Sequence, residues 1–255
     1  MSYISSISNH GMTNYYGKIA SGKAIQSAAD GAAELAITQG QTAQIKGYDM
    51  ATQSMQSGKN VLNITDSALG KLTEQLHRMK ELAIQASNGI LTDSDKMSIQ
   101  EEITQLKQGI NSIAKNTEFN TKKLLDGSNS QMQIPTDGNG HFTSLSTGNA
   151  TLDTLGLSDF DVTKDFDLQA IDDALSTVNS MRGEIGGKSN ALDFAINQNS
   201  TAIENLTRAK NALEELDLPK ILSEQKKEEA LQLYEMMMLR KQQEQAEKSI
   251  STLLG

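Results

Sequence analysis

Apolar residues recur every seven positions in two long stretches, one in each half of the chain. In the first, Tyr48, Met55, Leu62, Leu69, Leu76 and Ala83 are seven apart, and Ala51, Gly58, Thr65, Leu72, Met79 and Ala86 follow each of them by three. Alternating steps of three and four put both sets on one helical stripe, the a/d seam of a coiled coil. In the second, Ile171, Val178, Ile185, Leu192, Asn199, Leu206 and Leu213 keep the same step, flanked by Leu175, Ile196 and Ile203. A shorter heptad, Ile99, Ile103, Leu106, Ile110 and Ile113, lies between them. A long helix cannot bury such a stripe against itself. The pattern therefore predicts a mainly α fold, an elongated rod of long antiparallel helices packed as a coiled-coil-like bundle.

Local signals divide the chain further. Ser27 to Gly40 is alanine-rich and helix-compatible, although Gly31 weakens it. Thr42 to Asn88 reads as the first long helix, with Asn88-Gly89 suited to a left-handed C-terminal cap. Thr92-Asp93-Ser94-Asp95 supplies an N-cap and first-turn acids for the next helix, which should end near Asn116. From Thr117 to Asp167 the period stops and five glycines break the chain. Around the turn dipeptide Asp137-Gly138, Gln131 to Ile134 and His141 to Leu145 can pair as a small hairpin. This irregular section is expected at the exposed end of the rod. The second long helix spans Leu168 to Glu215, and an amphipathic tail, Ile221 to Leu254, follows Pro219. Met1 to Ser21 is polar, with Ile4, Ile7, Met12 and Ile19 too sparse to hold a helix without a partner. The resulting division is a rod, 41–215, with its insertion at 117–167, and two terminal helical segments, 1–40 and 216–255. Because the middle of the chain reverses direction, both termini should meet at one end.

Composition removes whole classes of function. Five Tyr, five Phe and no Trp leave few aromatic wedges for a globular enzyme core. A formal charge of −9 offers no basic patch to displace counterions from phosphates, which argues against nucleic acid. No apolar run approaches the roughly 18 residues of a membrane span, and the start lacks the basic and apolar regions of a cleaved signal peptide. Cysteine is absent, so disulfides and thiol chemistry are excluded. His10, His77 and His141 are isolated, without metal-ligand spacing. Glu101-Glu102 points around different sides of a helix and is a solvated face rather than a catalytic pair. Gly186-Gly187 lacks the strand-turn-helix context of a phosphate loop. Asn199 on the seam reads as a polar residue that sets helix register, and Met236-Met237-Met238 as a soft packing surface. No catalytic constellation, cofactor site or metal site emerges.

Three segments carry a specific resemblance. Ser27 to Ile37 reads SAADGAAELAI, Leu76 to Gly89 reads LHRMKELAIQASNG, and Asn116 to Gly127 reads NTEFNTKKLLDG. Ser180 to Leu216 adds a long C-terminal match, with Glu204-Asn205-Leu206-Thr207 its most typical piece, and the chain closes on Ser251-Thr252-Leu253-Leu254-Gly255. In order and spacing these resemble bacterial flagellin over nearly the whole chain. Three features depart from the pattern: a shortened N-terminal segment before Ser21-Gly22, the sequence around Leu216 to Pro219, and the lack of room between Leu125 and Leu168 for large outer domains.

The resemblance implies a structural subunit, secreted without a cleaved signal peptide to the extracellular flagellum. There it would self-assemble through its terminal helices into a helical filament for motility. It implies terminal segments that fold only in the polymer. Its partners would be other copies of itself, a flagellin export chaperone, the filament cap and the hook-filament junction proteins. Leu231, Tyr234, Met237, Met238, Ile250, Leu253 and Leu254 are the tail residues expected to make assembly and chaperone contacts. The alternative is a hook-filament junction protein or a minor co-assembling subunit of similar build. The resemblance also implies recognition by the innate immune receptor Toll-like receptor 5 through Arg78, Leu82 and Glu102. Arg78 and Leu82, four apart, share a helical face.

Overall fold

The structure, a computed structural model, describes residues 15–128 and 131–254. The sequence reading of Ile4, Ile7 and Met12 falls outside the described residues. The chain forms two compact units, 44–204 and 1–43 with 205–255. Its helices are α1 (Ala32–Ala86), α2 (Asp93–Asn116), α3 (Gln169–Glu214) and α4 (Leu218–Leu254), with helical backbone also over 15–21. Two antiparallel hairpins, β1–β2 (Glu118–Phe119 and Lys122–Lys123) and β3–β4 (Met132–Pro135 and Phe142–Leu145), lie between α2 and α3.

In the unit 44–204 the seam of α1 is the core. Every a and d residue from Ala51 to Ala86 is buried, including Gly58 and Thr65, and only Tyr48 is half-exposed. The Thr65 hydroxyl donates to the Val61 carbonyl, so the polar atom on the seam is satisfied by its own helix. Ion pairs report the direction of packing. Lys59, Asp66 and Lys80 of α1 meet Asp193, Arg182 and Asp172 of α3, so one helix ascends as the other descends. Arg78 with Glu102, and Gln75 against Gly109, show the same reversal between α1 and α2. Ile171, Val178, Ile185, Leu192 and Asn199 are buried along α3, and Ile99, Ile103 and Ile110 along α2. The long antiparallel helices and the small hairpin insertion match the fold class expected from the sequence.

Boundaries differ in instructive ways. Ser27 to Gly40 is not a separate helix: α1 starts at Ala32, on the Gly31 carbonyl, and continues through Gly40 and Gly47. Nor does Asn88-Gly89 form a left-handed cap, since neither residue has a positive φ. Instead the Asn88 side chain accepts the Ile90 N–H, and Ser87 and Asn88 donate back to Ala83, Ile84 and Gln85 carbonyls. An Asx turn of this kind closes the helix without glycine's freedom. The start of α2 follows expectation, with Thr92 and Asp95 in a reciprocal capping box.

The irregular section is not an exposed end. It packs along the helices and buries Leu124, Leu125, Leu145, Ala150, Leu155, Leu157, Phe160 and Val162 in the same core. Lys107 of α2 donates to the Ser158 and Phe160 carbonyls, and Gln100 accepts the Val162 N–H. Phe160 and Phe166 meet edge to face at 5.8 Å. Hairpin β3–β4 has the expected pairing around Asp137-Gly138. Its turn lies backbone to backbone on α1: a Cβ on Gly47 would stand 2.9 Å from the Gly138 Cα. Asn199 does more than mark helix register, because its amide donates to the Thr136 carbonyl at 2.9 Å and ties α3 to the hairpin.

This geometry separates two glycines of α1. Gly70 faces open space, so Gly70→Ala should raise stability by about 0.5–1 kcal/mol through helix propensity alone. Gly47→Ala, with the same propensity gain, pushes against backbone and should lower stability while freeing the 136–141 turn to hydrogen exchange. Paired urea unfolding and amide exchange measure both.

In the other unit, Asp30 organises the segment before α1. Its carboxylate accepts from the Gln26 and Ser27 N–H groups and the Ser27 hydroxyl, and pairs with Lys18 at 2.7 Å. The Lys18 pair, then the Ser27 and Gln26 bonds, overcome burial and hold Asp30 far below the ordinary carboxylate range. A lowered folded value means that the stabilisation is complete above the unfolded pKa, about 3.9, and is lost as pH falls through the folded value. Asp30→Asn should therefore be less stable than the unsubstituted protein at pH 7, with the gap closing on acidification below about pH 4. Thermal unfolding across pH tests this. Lys23 pairs with Glu214 at 3.0 Å, and the Ala24 N–H donates to the Glu214 carbonyl, so the early chain lies against the end of α3.

Candidate assembly and recognition surfaces

Helix α4 begins on Asp217, whose carboxylate accepts the Lys220 N–H and whose carbonyl accepts that of Ile221. Pro219 sits in the first turn, where no backbone donor is needed. The tail that the resemblance implied to fold only in the polymer is helical from Leu218 to Leu254, with Asp217 bonded to its first turn and no glycine or proline after Pro219. Its apolar side chains, however, find little cover. Leu231 is 48 % exposed, Tyr234 62 %, Met237 59 % and Met238 42 %, and Leu233, Met236 and Leu239 are similarly open. Leu231, Tyr234 and Met238 follow one another by three and four, the spacing of one helical face. The side chains of Ile250, Leu253 and Leu254 lie outside the described residues.

The three residues of the second surface are placed differently. Arg78 is half-exposed, donates from Nε to Glu102 at 2.9 Å and from Nη1 to Glu81 at 3.0 Å. Glu102, followed by Glu81, raises the guanidinium above its already high pKa, so the site carries a fixed cation between two carboxylates. Leu82 is not beside them on the surface. It is 2 % exposed and belongs to the core. The structure thus brings Arg78 and Glu102 together across two helices and puts Leu82 inside. Glu81 was missed by the sequence reading, although its i, i+3 spacing from Arg78 could have marked it.

Among the described residues no group of three or more His, Cys, Asp or Glu side chains is arranged to hold a metal ion, and no helix is long and apolar enough to cross a membrane. What the geometry defines is a mainly helical protein with an open apolar helix face and a charged patch.

Comparison with known proteins agrees with this class. Residues 1–130 match the family model for the bacterial flagellin N-terminal helical region. Flagellin of Bacillus subtilis (strain 168) is 32 % identical over 92 % of this chain and 90 % of its own length. Flagellin of Halalkalibacterium halodurans is 33 % identical over 81 % of this chain and 79 % of its own. Among solved structures, Bacillus cereus flagellin superposes with a TM-score of 0.52 at 27 % identity, covering 58 % of this chain and 88 % of that one. The chain belongs to the bacterial flagellin family, whose members are structural subunits of the extracellular flagellar filament.

Proposed function

We propose that this protein self-assembles into the flagellar filament through its terminal segments, 1–40 and 216–255, with the remaining helices as the rod between neighbouring subunits. The observation that carries this reading is the open apolar face of α4, several half-exposed Leu, Met and Tyr side chains on one long helix. Isolated surface apolar residues are ordinary, but a contiguous face of them marks an interaction site. A contact between unlike surfaces that rises and does not close builds an open helical filament. The same face, covered by an export chaperone before assembly, would be kept from premature polymerisation. The filament cap and the hook-filament junction proteins would meet the growing and basal ends.

Seeded polymerisation of the full-length protein, followed by electron microscopy, tests the proposal. Ordered filaments are expected. Folded monomers that never extend a seed would overturn it and favour the junction-protein or minor-subunit alternative, which copy number in sheared flagella would then separate.

A second reading concerns Toll-like receptor 5. The half-exposed Arg78, held by Glu102, offers the cationic anchor common at interfaces, while buried Leu82 would act by supporting the backbone beneath it. Arg78→Ala should leave the unfolding midpoint unchanged and abolish receptor signalling in a reporter cell. Unchanged signalling would remove Arg78 from the contact.

A further inference from the structure

Methionine is distributed unevenly between core and surface. Met55 and Met79 are fully buried on the α1 seam, whereas Met50, Met97, Met236, Met237 and Met238 are exposed. Three of the five exposed ones are consecutive on α4. Met238 stands seven residues after Leu231 and four after Tyr234, on the same face of the helix, so docking of that face must bury at least one thioether.

We propose that Met236, Met237 and Met238 form an oxidation site whose conversion to sulfoxide by hydrogen peroxide blocks assembly. In this step a thioether sulfur lone pair attacks one peroxide oxygen, the O–O bond breaks and an S–O bond forms. The sulfur loses two electrons to become the sulfoxide, and the displaced hydroxide takes up the remaining proton as water. Exposure of the three side chains gives peroxide access in the unassembled subunit. The product replaces a flexible apolar group with a polar, chiral one, and a sulfoxide oxygen buried at a packed apolar contact has no donor to satisfy it. The inference rests on the assembly reading of α4. It adds that the subunit is assembly-competent only while this run is reduced.

The test treats full-length protein with hydrogen peroxide and maps sulfoxides by peptide mass spectrometry before seeded polymerisation. Met236 to Met238 should oxidise ahead of Met55 and Met79, and the monomer concentration needed for growth should rise on the order of tenfold or more. The Met50→Leu, Met97→Leu double variant should polymerise normally when untreated and lose growth equally when oxidised. The triple variant Met236→Gln, Met237→Gln, Met238→Gln, a neutral polar substitute, should show the defect without oxidant. Confirmed sulfoxides at all three positions with undiminished growth would overturn the proposal, as would a triple variant that grows like the parent. Rescue of the oxidised protein by the Met50, Met97 variant would assign the effect elsewhere and also overturn it. Failure of untreated protein to extend seeds would instead overturn the assembly reading itself and this inference with it.

Discussion

Leu76→Ala should lower the unfolding free energy of the helical unit by about 2–5 kcal/mol, a large share of what holds a domain folded. Leu76 is fully buried on the α1 seam. At its level α1 has helices on two sides: Lys80, one turn on, pairs with Asp172 of α3, and Arg78 pairs with Glu102 of α2. With rigid helices on both flanks, collapse into the vacated space is limited, which puts the cost toward the upper part of that range. Ile84→Ala removes a side chain of the same size a little over two turns later on the same helix. Yet Ile84 is 53 % exposed, and its loss should cost no more than about 0.5 kcal/mol. Urea unfolding measures both: the midpoint should fall steeply for Leu76→Ala with an unchanged slope, and barely move for Ile84→Ala. Equal effects would mean that the heptad does not carry the stability.

That contrast was legible in the sequence because a seven-residue period maps directly onto one helix face. The seam residues of α1 and the first part of α3 were found this way, and they are the buried ones. The period undercounted the core, however. Val61, Ala68 and Leu82 occupy the g position, one residue before a, and all three are buried, while a Cβ on Gly109 of α2 would approach the Gln75 side chain of the same row. A helix that faces two neighbours buries a or d together with g, a wider stripe than a two-stranded seam. This is why Leu82, expected on the surface beside Arg78, lies inside.

Other parts were illegible for reasons that depend on distant residues. The sequence pattern divides at Gly40, but α1 runs through it, and at Gly47, inside the expected helix, the missing side chain admits the hairpin turn. Asn120-Thr121 turns β1 into β2 with both φ values positive, at 47° and 65°. A threonine there gives no local warning, because β-branched residues seldom adopt that region. The meeting of Arg78 with Glu102 joins residues on different helices, which a single-helix pattern cannot register. The N-cap of α2 and the β3–β4 pairing, by contrast, depend on neighbours within a few residues and follow the sequence expectation.

Combined substitution of Leu231, Tyr234 and Met238 by alanine should leave the monomer's unfolding midpoint in place and suppress filament growth. The three share one face of α4 and are 48 %, 62 % and 42 % exposed, so the monomer gains little from them. Docking would bury what remains open, roughly half of each side chain, contributing about 1 kcal/mol apiece. At 1.4 kcal/mol per factor of ten, losing all three should raise the concentration needed for growth by roughly a hundredfold. The measurement is the monomer concentration left at equilibrium with seeded filaments, beside thermal unfolding of the same preparations. Unchanged growth would assign assembly to another surface. A lowered unfolding midpoint would mean that the face is already spent within the monomer. The joint outcome, intact fold and lost growth, is what distinguishes an interface from a core, because only an interface residue can have large effects on association while leaving the isolated chain as stable as before.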